Sequence, residues 1–481
     1  MKIVLCMVQR YPDMQEVFRR YGIVAPIGLG YIASFLLRQG HDVKIFDDAI
    51  MTSPQFRAEI EEYRPDLVGF FTYTYAIESC LAWAGIIKGI DPTIRTVFGG
   101  PHPTHLPRET LAHRDVDFVC VGEGEETMTE LAGALARRQR PDGIKGLMFK
   151  NEGGGIVDNG PRPFIKDLDT LPFPAYHLLR LDRYRSNPTR RFTTMRFATI
   201  STLRGCSYRC LFCSQMFGQQ VRFRSPESVV SELEFLAQHY GIGELRFLDD
   251  DFTIDPERAI AVCDLMVRRG LKLIWNCNSK VTSASRPLFQ AMRRAGCRGV
   301  LIGVESGVQE MLDVMQKDIT LEQIEKGVAL AKEIIGFVNC TFLFGMPGDT
   351  VERVRRTIAF AKKLDPDFAY FSIAHPIPGS QLFHEALGMG FFDKESVAWE
   401  GFTIMLNSKV PVVAQMSTIS PKELVRLRKR AFREFYLRPR CILNLFVKCN
   451  IILILNLYLY IEGVGLLLGY QLRRFKLLFQ R

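Results

Sequence analysis

Cysteine is too sparse here to build a disulfide scaffold, at twelve residues in 481. The opening stretch "MKIVLCMVQRYPDM" has an apolar run of only a few residues, which argues against a secretory leader. The expectation is a reducing, cytoplasmic compartment, where clustered thiols act as metal ligands or reactive groups. Long basic tracts and recognisable nucleic-acid-binding motifs are also missing. The formal net charge of +10 is therefore expected to be scattered, solvated surface, with no nucleic acid as a partner. What is present is an ordinary globular composition, 47% hydrophobic and 24% charged. The length suggests about three domains at roughly 150 residues each.

The first third alternates strand and helix. Apolar runs predict strands over Lys2–Val8, Asp42–Asp48, Asp66–Tyr73, Arg95–Gly100 and Val116–Gly124. Helical periods fall between them, over Leu29–Arg38, Pro54–Tyr63, Ile77–Ile90, Thr104–Ala112 and Glu125–Arg138. Five βα units with short connections specify a doubly wound parallel sheet, an α/β fold. Ligands of such sheets bind beyond the strand carboxyl ends, here the loops carrying Asp47, Thr72, Gly99–His102 and Gly122–Glu125. "GLGYIA" (Gly28–Ala33) matches a dinucleotide fingerprint, with Asp47 about twenty residues on. That fingerprint must turn directly out of the first strand, whereas Gln9–Ile27 intervenes. Small residues packing a helix onto the sheet are the better reading.

Glycines at 153–155 and prolines at 161, 163, 172 and 174 mark a hairpin and linker over Ile144–Arg196. A second α/β repeat follows. Strands are predicted over Phe197–Thr202, Glu244–Leu248, Lys272–Asn276, Gly299–Val304, Phe337–Phe344 and Phe368–Ile373. About six units suggest a partial (β/α)₆ barrel whose reactive residues gather at the strand carboxyl ends. The expected boundaries are 1–143, a linker over 144–196, the barrel over 197–385, and a helical C-terminal region with an apolar tail over 386–481.

The loop after the first barrel strand reads "RGCSYRCLFCSQ", with Cys206, Cys210 and Cys213 at C-x₃-C-x₂-C. Three thiolates can hold three irons of a [4Fe–4S] cube, leaving the fourth iron open to a ligand. A zinc site would need a fourth ligand from elsewhere in the chain. Tyr208 and Phe212 would wrap the loop and limit solvent access.

With these residues in place, the chain resembles the radical S-adenosylmethionine superfamily, and within it the class with an N-terminal cobalamin-binding domain. The resemblance runs over about Lys2 to Arg440. It is carried by "PIGLGYIASFLLRQGHDVKIFD", "VFGGPHPT", "VGEGEET", "TLRGCSYRCLFCS", "FLDDDFTID", "GVESGVQEMLDVMQK", "FLFGMPGDT" and "HPIPGSQLF" in order. It implies that Cys206, Cys210 and Cys213 ligate the cluster, whose free iron binds S-adenosylmethionine. One-electron cleavage then gives a deoxyadenosyl radical that abstracts hydrogen from an unactivated carbon, with an electron donor such as flavodoxin or ferredoxin. Asp249, Asp250, Glu305 and Ser306 are placed to hold the methionyl or ribose groups, although "DDDFTIDPE" also reads as capping chemistry before Pro256. Gly345 shapes a tight turn against the adenosine.

Cobalamin is the third implied cofactor, the plain alternative being a degenerate domain that kept the fold and lost the ligand. Domains with a lower axial histidine carry D-x-H-x-x-G after the second strand; here "DDAIMT" puts Ala49 or Ile50 at that place. Histidine ligation from this loop is excluded, and the cofactor's tail would pass Thr72 and Gly99–Gly100, with His102 near the corrin edge. Three functions follow: methyl transfer to a substrate radical; oxidative cyclisation, as in the anaerobic magnesium-protoporphyrin ester cyclase that the chain also resembles; and a non-catalytic sensor. Cys277 is the candidate catalytic hydrogen donor, against core packing as the plain alternative. The apolar stretch Ile451–Leu472 contains Asn456 and Glu462 and is flanked by Lys448, Arg473, Arg474 and Lys476. It suits a peripheral helix on the inner face of the membrane better than a span, with a soluble terminal helix packed on the barrel as the plain alternative. Such a placement would match a hydrophobic or lipid-like substrate.

Overall fold

The computed structural model describes residues 1–8, 23–187, 190–391, 397–402 and 416–441. The apolar stretch Ile451–Leu472 and most of the Gln9–Ile27 loop lie outside them. Among the described residues, no helix is long and apolar enough to cross a membrane.

Strands β1 (Lys2–Met7), β2 (Asp42–Asp47), β3 (Leu67–Phe71), β4 (Arg95–Gly99) and β5 (Phe118–Cys120) form a parallel sheet in the order β2-β1-β3-β4-β5. Their near-continuous apolar runs are buried on both faces by helices, as parallel strands require. The order reverses between β1 and β3, which opens a crevice beyond their carboxyl ends. Helices cover Ile27–Arg38, Ser53–Tyr63, Ile77–Ile90 and Glu125–Ala136. Thr52 starts the second of these with a capping box, its hydroxyl accepting Gln55 N–H while the Gln55 side chain accepts Thr52 N–H. The helix predicted over Thr104–Ala112 is instead two, Pro101–His105 and Pro107–Ala112. Pro107 lacks the N–H that would continue the first piece and is suited to open the second.

Strands β6 (Leu147–Lys150) and β7 (Ile156–Asp158) are a hairpin that adds antiparallel to β5 and extends the first sheet. The linker then crosses to the second sheet. Its Ala175 N–H donates to Gly30 O at 2.9 Å, and a Cβ at Gly30 would lie 2.9 Å from that of Pro174. The small residues of "GLGYIA" serve both purposes: Ala33 packs the helix onto the sheet among Ile3, Leu5 and Val43, and Gly30 admits the linker.

The second sheet has six parallel strands in sequence order: β8 (Arg196–Ile200), then β11 (Ile242–Phe247), β12 (Ile274–Ser279), β13 (Cys297–Glu305), β14 (Phe337–Phe344) and β15 (Phe368–Ile373). The two short strands between, β9 (Leu203–Arg204) and β10 (Arg222–Phe223), pair antiparallel at the two ends of the cysteine loop. Helices flank the convex face, and several are fixed by caps. Ser225 accepts Ser228 N–H ahead of Pro226, and Asp255 accepts Arg258 N–H ahead of Pro256. Asp255 is thus the cap in "DDDFTIDPE". Strand β12 begins two residues later than its predicted stretch and runs three residues further. Its Trp275 and Cys277 are core residues, whereas Asn276 bonds to the linker at Arg190 O and Asn278 to Asp249 O.

Candidate active site

Strand β8 delivers the cysteine loop to the carboxyl end of the half-barrel. Gly205 opens the loop at φ +90°, and a Cβ there would lie 2.4 Å from Gln220 O, so no other residue fits. Cys206 N–H donates to Gly218 O at 3.2 Å, Cys213 N–H to Cys210 O at 3.0 Å and Leu211 N–H to Met315 O at 3.0 Å. The Gln215 side-chain amide ties down the carbonyls of Cys206 and Tyr208. Leu211 and Phe212 pack into an apolar cluster with Met311, Met315 and Met346, while all three thiols keep exposed surface. Burial raises the Cys206 pKa, and Asp250, Asp251 and Cys210 add to the rise. A bound cationic cluster reverses that balance by taking the thiolate. Among the described residues, no three His, Cys, Asp or Glu side chains converge to hold a single metal ion. The donor set, three soft thiols spread along one loop, fits three irons of a cube better than one zinc.

The carboxylates around this loop divide by what they already bind. Asp249 is saturated: it accepts Thr202 N–H at 2.7 Å, Thr202 Oγ1–H at 2.6 Å and Leu203 N–H at 3.1 Å, bracing the loop's entry. Asp250 is exposed and close enough to act on Cys206 and Cys213. Asp251 bonds Thr253 through Oδ1 and leaves Oδ2 buried without a partner. Glu305 sits at φ +64°, a left-handed backbone rare for a side chain of its kind. Its carboxylate takes Lys317 Nζ at 3.3 Å and the Thr341 hydroxyl at 3.1 Å. Ser306 Oγ accepts Val308 N–H and lies 3.2 Å from Thr357 Oγ1, which secures the turn. Gly345, at φ +85°, donates its N–H to Asp349 and leaves room for Leu424.

Two lysines complete this rim and were not legible as site residues. Lys280 Nζ stands 3.2 Å from the Tyr208 ring centroid with no hydrogen-bond partner. Burial lowers its pKa, and Lys317 lowers it further. Burial would likewise lower Lys317, but Glu305 and Cys210 raise it overall. Cys277 is not brought to this rim. It is 2% exposed, and its thiol lies beside those of Cys297 and Cys263 in the core behind the strands.

The first domain presents a cleft at the carboxyl ends of β1, β3, β4 and β5. Gly69, Gly99, Gly100, Gly122 and Gly124 leave its backbone bare, and Leu5, Ile32 and Met128 make it apolar. Bare backbone and apolar walls suit the tail of a corrin; Gly100 itself, at φ +97°, is required by the chain's own packing, because a Cβ there would lie 3.0 Å from Thr72 N. Among the described residues, no histidine lines the cleft. Asp47, at the end of β2, accepts Ala49 N–H and the Tyr184 hydroxyl, each at 2.9 Å. Thr72 is fully buried and accepts His102 N–H. His102 is 1% exposed and packs edge-on against Trp399, and burial pulls its pKa down to about 3. It is a neutral core histidine rather than a loop residue. Its neighbour His105 reaches the cysteine loop, with Nε2 3.1 Å from Ser214 Oγ.

The cleft and the cysteine loop are joined directly. Arg204 bonds Glu123 at 2.7 Å and Glu125 at 2.5 Å, and Arg222 bonds Glu123 at 2.9 Å. All four side chains are nearly inaccessible.

A doubly wound cleft domain riveted to a half-barrel with a three-thiol loop defines a two-domain cofactor enzyme. Residues 17–132 match the B12 binding domain, and residues 200–361 the Radical SAM superfamily. Over 450 residues the chain is 34% identical to an uncharacterized methyltransferase of Pyrococcus horikoshii, covering 92% of this chain and 95% of the relative. It is 31% identical over 370 residues to the anaerobic magnesium-protoporphyrin IX monomethyl ester cyclase of Rubrivivax gelatinosus, covering 75% of this chain and 66% of the cyclase. The fold matches that of a radical S-adenosylmethionine methyltransferase from Kitasatospora setae, solved with cobalamin and a [4Fe–4S] cluster. The TM-score is 0.67 at 21% identity, covering 89% of this chain and 84% of the other. The chain belongs to the cobalamin-dependent radical S-adenosylmethionine methyltransferase family, as the sequence motifs led us to expect.

Proposed function

We propose that this enzyme transfers a methyl group to an unactivated carbon of a hydrophobic small molecule. Cys206, Cys210 and Cys213 would hold the [4Fe–4S] cluster, and the glycine cleft would hold cobalamin without a histidine ligand. When bound, these groups and S-adenosylmethionine supply the one-electron and methyl-transfer chemistry. The protein's residues bind, orient and exclude water. Asp250, Glu305 and the Gly345 turn would contact S-adenosylmethionine. Asp249 and Ser306 act on the backbone that places them, and Phe212 shields the loop. Thr72 and Asp47 would shape the cobalamin loops. No role is proposed for Cys277 or His102 beyond packing.

The observation that carries this reading is the Glu123–Arg204 bond, which makes the cleft edge and the cysteine loop one built unit. Two cofactors held there would face a shared chamber. A low-potential electron donor such as flavodoxin or ferredoxin would be required, in a cytoplasmic setting. Oxidative cyclisation is the second reading, supported by the 31% identity to the cyclase. Anaerobic reconstitution followed by mass spectrometry of products from a lipid and tetrapyrrole extract separates them. Methylation adds a CH₂ unit to the substrate; a product lighter by hydrogens would replace methyl transfer with cyclisation.

A further inference from the structure

Side chains alternate along the barrel strands between the helix layer and the lumen. On β11, Leu245 and Phe247 are fully buried among the helices, whereas Arg246, and Leu248 just past the strand's end, are half-buried. The same alternation leaves Leu301, Thr341, Leu343 and Tyr370 half-buried on the other strands. These residues point to the lumen side of the sheet and keep part of their surface accessible. Its floor is a strap from the linker: Glu244 accepts Phe192 N–H and Thr193 N–H at 3.0 Å and the Thr193 hydroxyl at 2.8 Å.

Arg190 rises from that strap. Its backbone carbonyl accepts Asn276 Nδ2, and its guanidinium lies 5.8 Å from the Tyr370 ring centroid. Arg246 stands level with Thr199 and Asn276 in the sheet register. Arg246 Nε, Arg190 Nη1 and Thr199 Oγ1 are all buried with no hydrogen-bond partner. Burial lowers the Arg246 pKa, Arg190 lowers it further, and the groups opposing them are Tyr370 and Cys277, with no carboxylate. Glu244, the nearest acid in sequence, is spent on the strap. A guanidinium keeps its proton in proteins. Two adjacent guanidiniums, desolvated and lacking an anion among the described residues, form a costly arrangement that an incoming anion would repay.

We infer that the floor of the half-barrel binds an anionic group, a carboxylate or a phosphate, carried by an otherwise apolar substrate. This rests on reading the lumen as the substrate chamber of the methyl-transferring enzyme. Arg190 Nη1 and Arg246 Nε are the unpartnered donors available to it, and guanidinium groups are well suited to carboxylate and phosphate oxygens. Leu248, Leu301 and Leu343 supply the apolar wall.

The test is titration of the anaerobically reconstituted full chain with inorganic phosphate and with acetate, read by calorimetry and thermal shift. The wild type is expected to bind one anion saturably, and Arg246→Met and Arg190→Met to lose affinity at least tenfold. Arg246→Met should also unfold at a higher temperature in anion-free buffer, because it removes an unpaired buried charge; a purely structural arginine would give the opposite sign. S-adenosylhomocysteine should bind the wild type and Arg246→Met equally. Equal anion binding by the wild type and both variants would overturn the inference. So would a parallel tenfold loss of S-adenosylhomocysteine, which would assign the floor to the methionyl carboxylate. Failure of the methyl-transfer reading would show separately, as turnover of S-adenosylmethionine without any product heavier by a CH₂ unit, while the anion titration stands by itself.

Discussion

Arg204 Nη1 donates to Glu123 Oε1 at 2.7 Å, which bonds the residue two before the first loop cysteine to the rim of the other domain's cleft. The pair is inaccessible to solvent, and Arg222 shares the same carboxylate. Geometry set in one domain is therefore transmitted to the other through a contact that water does not loosen.

Glu123→Gln should break this unit. Removing one partner of a buried pair costs about 3–5 kcal/mol, because the remaining charges stay buried. The expected result is a lower unfolding temperature together with loss of cobalamin on gel filtration. An unchanged melting curve with full cobalamin content would refute the coupling.

Replacing Cys206, Cys210 or Cys213 with Ala should abolish or destabilise the brown iron–sulfur absorption and stop deoxyadenosine formation. Cys80, fully buried on the Ile77–Ile90 helix, is the control. Cys80→Ala should cost some stability as a small core cavity yet leave the absorption intact. Undiminished deoxyadenosine from Cys210→Ala would sink the cluster assignment.

Ala49 and Ile50 stand where a lower axial histidine would be, and among the described residues no histidine lines the cleft. Bound Co(II) should accordingly show no hyperfine splitting from a histidine nitrogen in its paramagnetic resonance spectrum. A nitrogen triplet that changed on ¹⁵N-histidine labelling would contradict this.

Asp47 offers a pH test. Burial pushes its pKa up from 3.8 to about 7, opposed by the bonds from Ala49 and Tyr184. Below pH 4 both folded and unfolded chains carry the proton. Between about 4 and 7 the folded chain binds more proton than the unfolded one, so this residue's contribution makes stability fall as pH rises. Above 7 the loss is complete and the slope ends. Asp47→Asn should flatten that decline in urea unfolding measured from pH 4 to 8. An identical slope in the variant would assign the pH dependence elsewhere.

The strands were legible because parallel sheets bury both faces and so read as apolar runs; β14 and β15 match their predicted stretches residue for residue. Strand β12 was cut short because "WNCNS" carries asparagines, which a polarity pattern reads as a strand end. Within the site, the thiol spacing was local and could be read directly. Lys280, Lys317 and Arg246 were not, since each lies on a different strand or turn and gains meaning only from which side of the sheet it faces. His102 read as a loop histidine because nothing near it in sequence announces Trp399. The Glu123–Arg204 bond spans 81 residues and had no sequence signal beyond the short motif around each partner.

Glu305 holds a backbone conformation that costs about 1–3 kcal/mol for a residue with a side chain, and its partner Lys317 adds the expense of a desolvated ammonium. Neither is the choice of a chain shaped by durability alone. A glycine at 305 with a methionine at 317 would relax the turn and leave no charge to satisfy. Laboratory selection for heat resistance without an activity screen would be drawn toward that double replacement. The sturdier protein would keep its cluster loop and lose the carboxylate beside it.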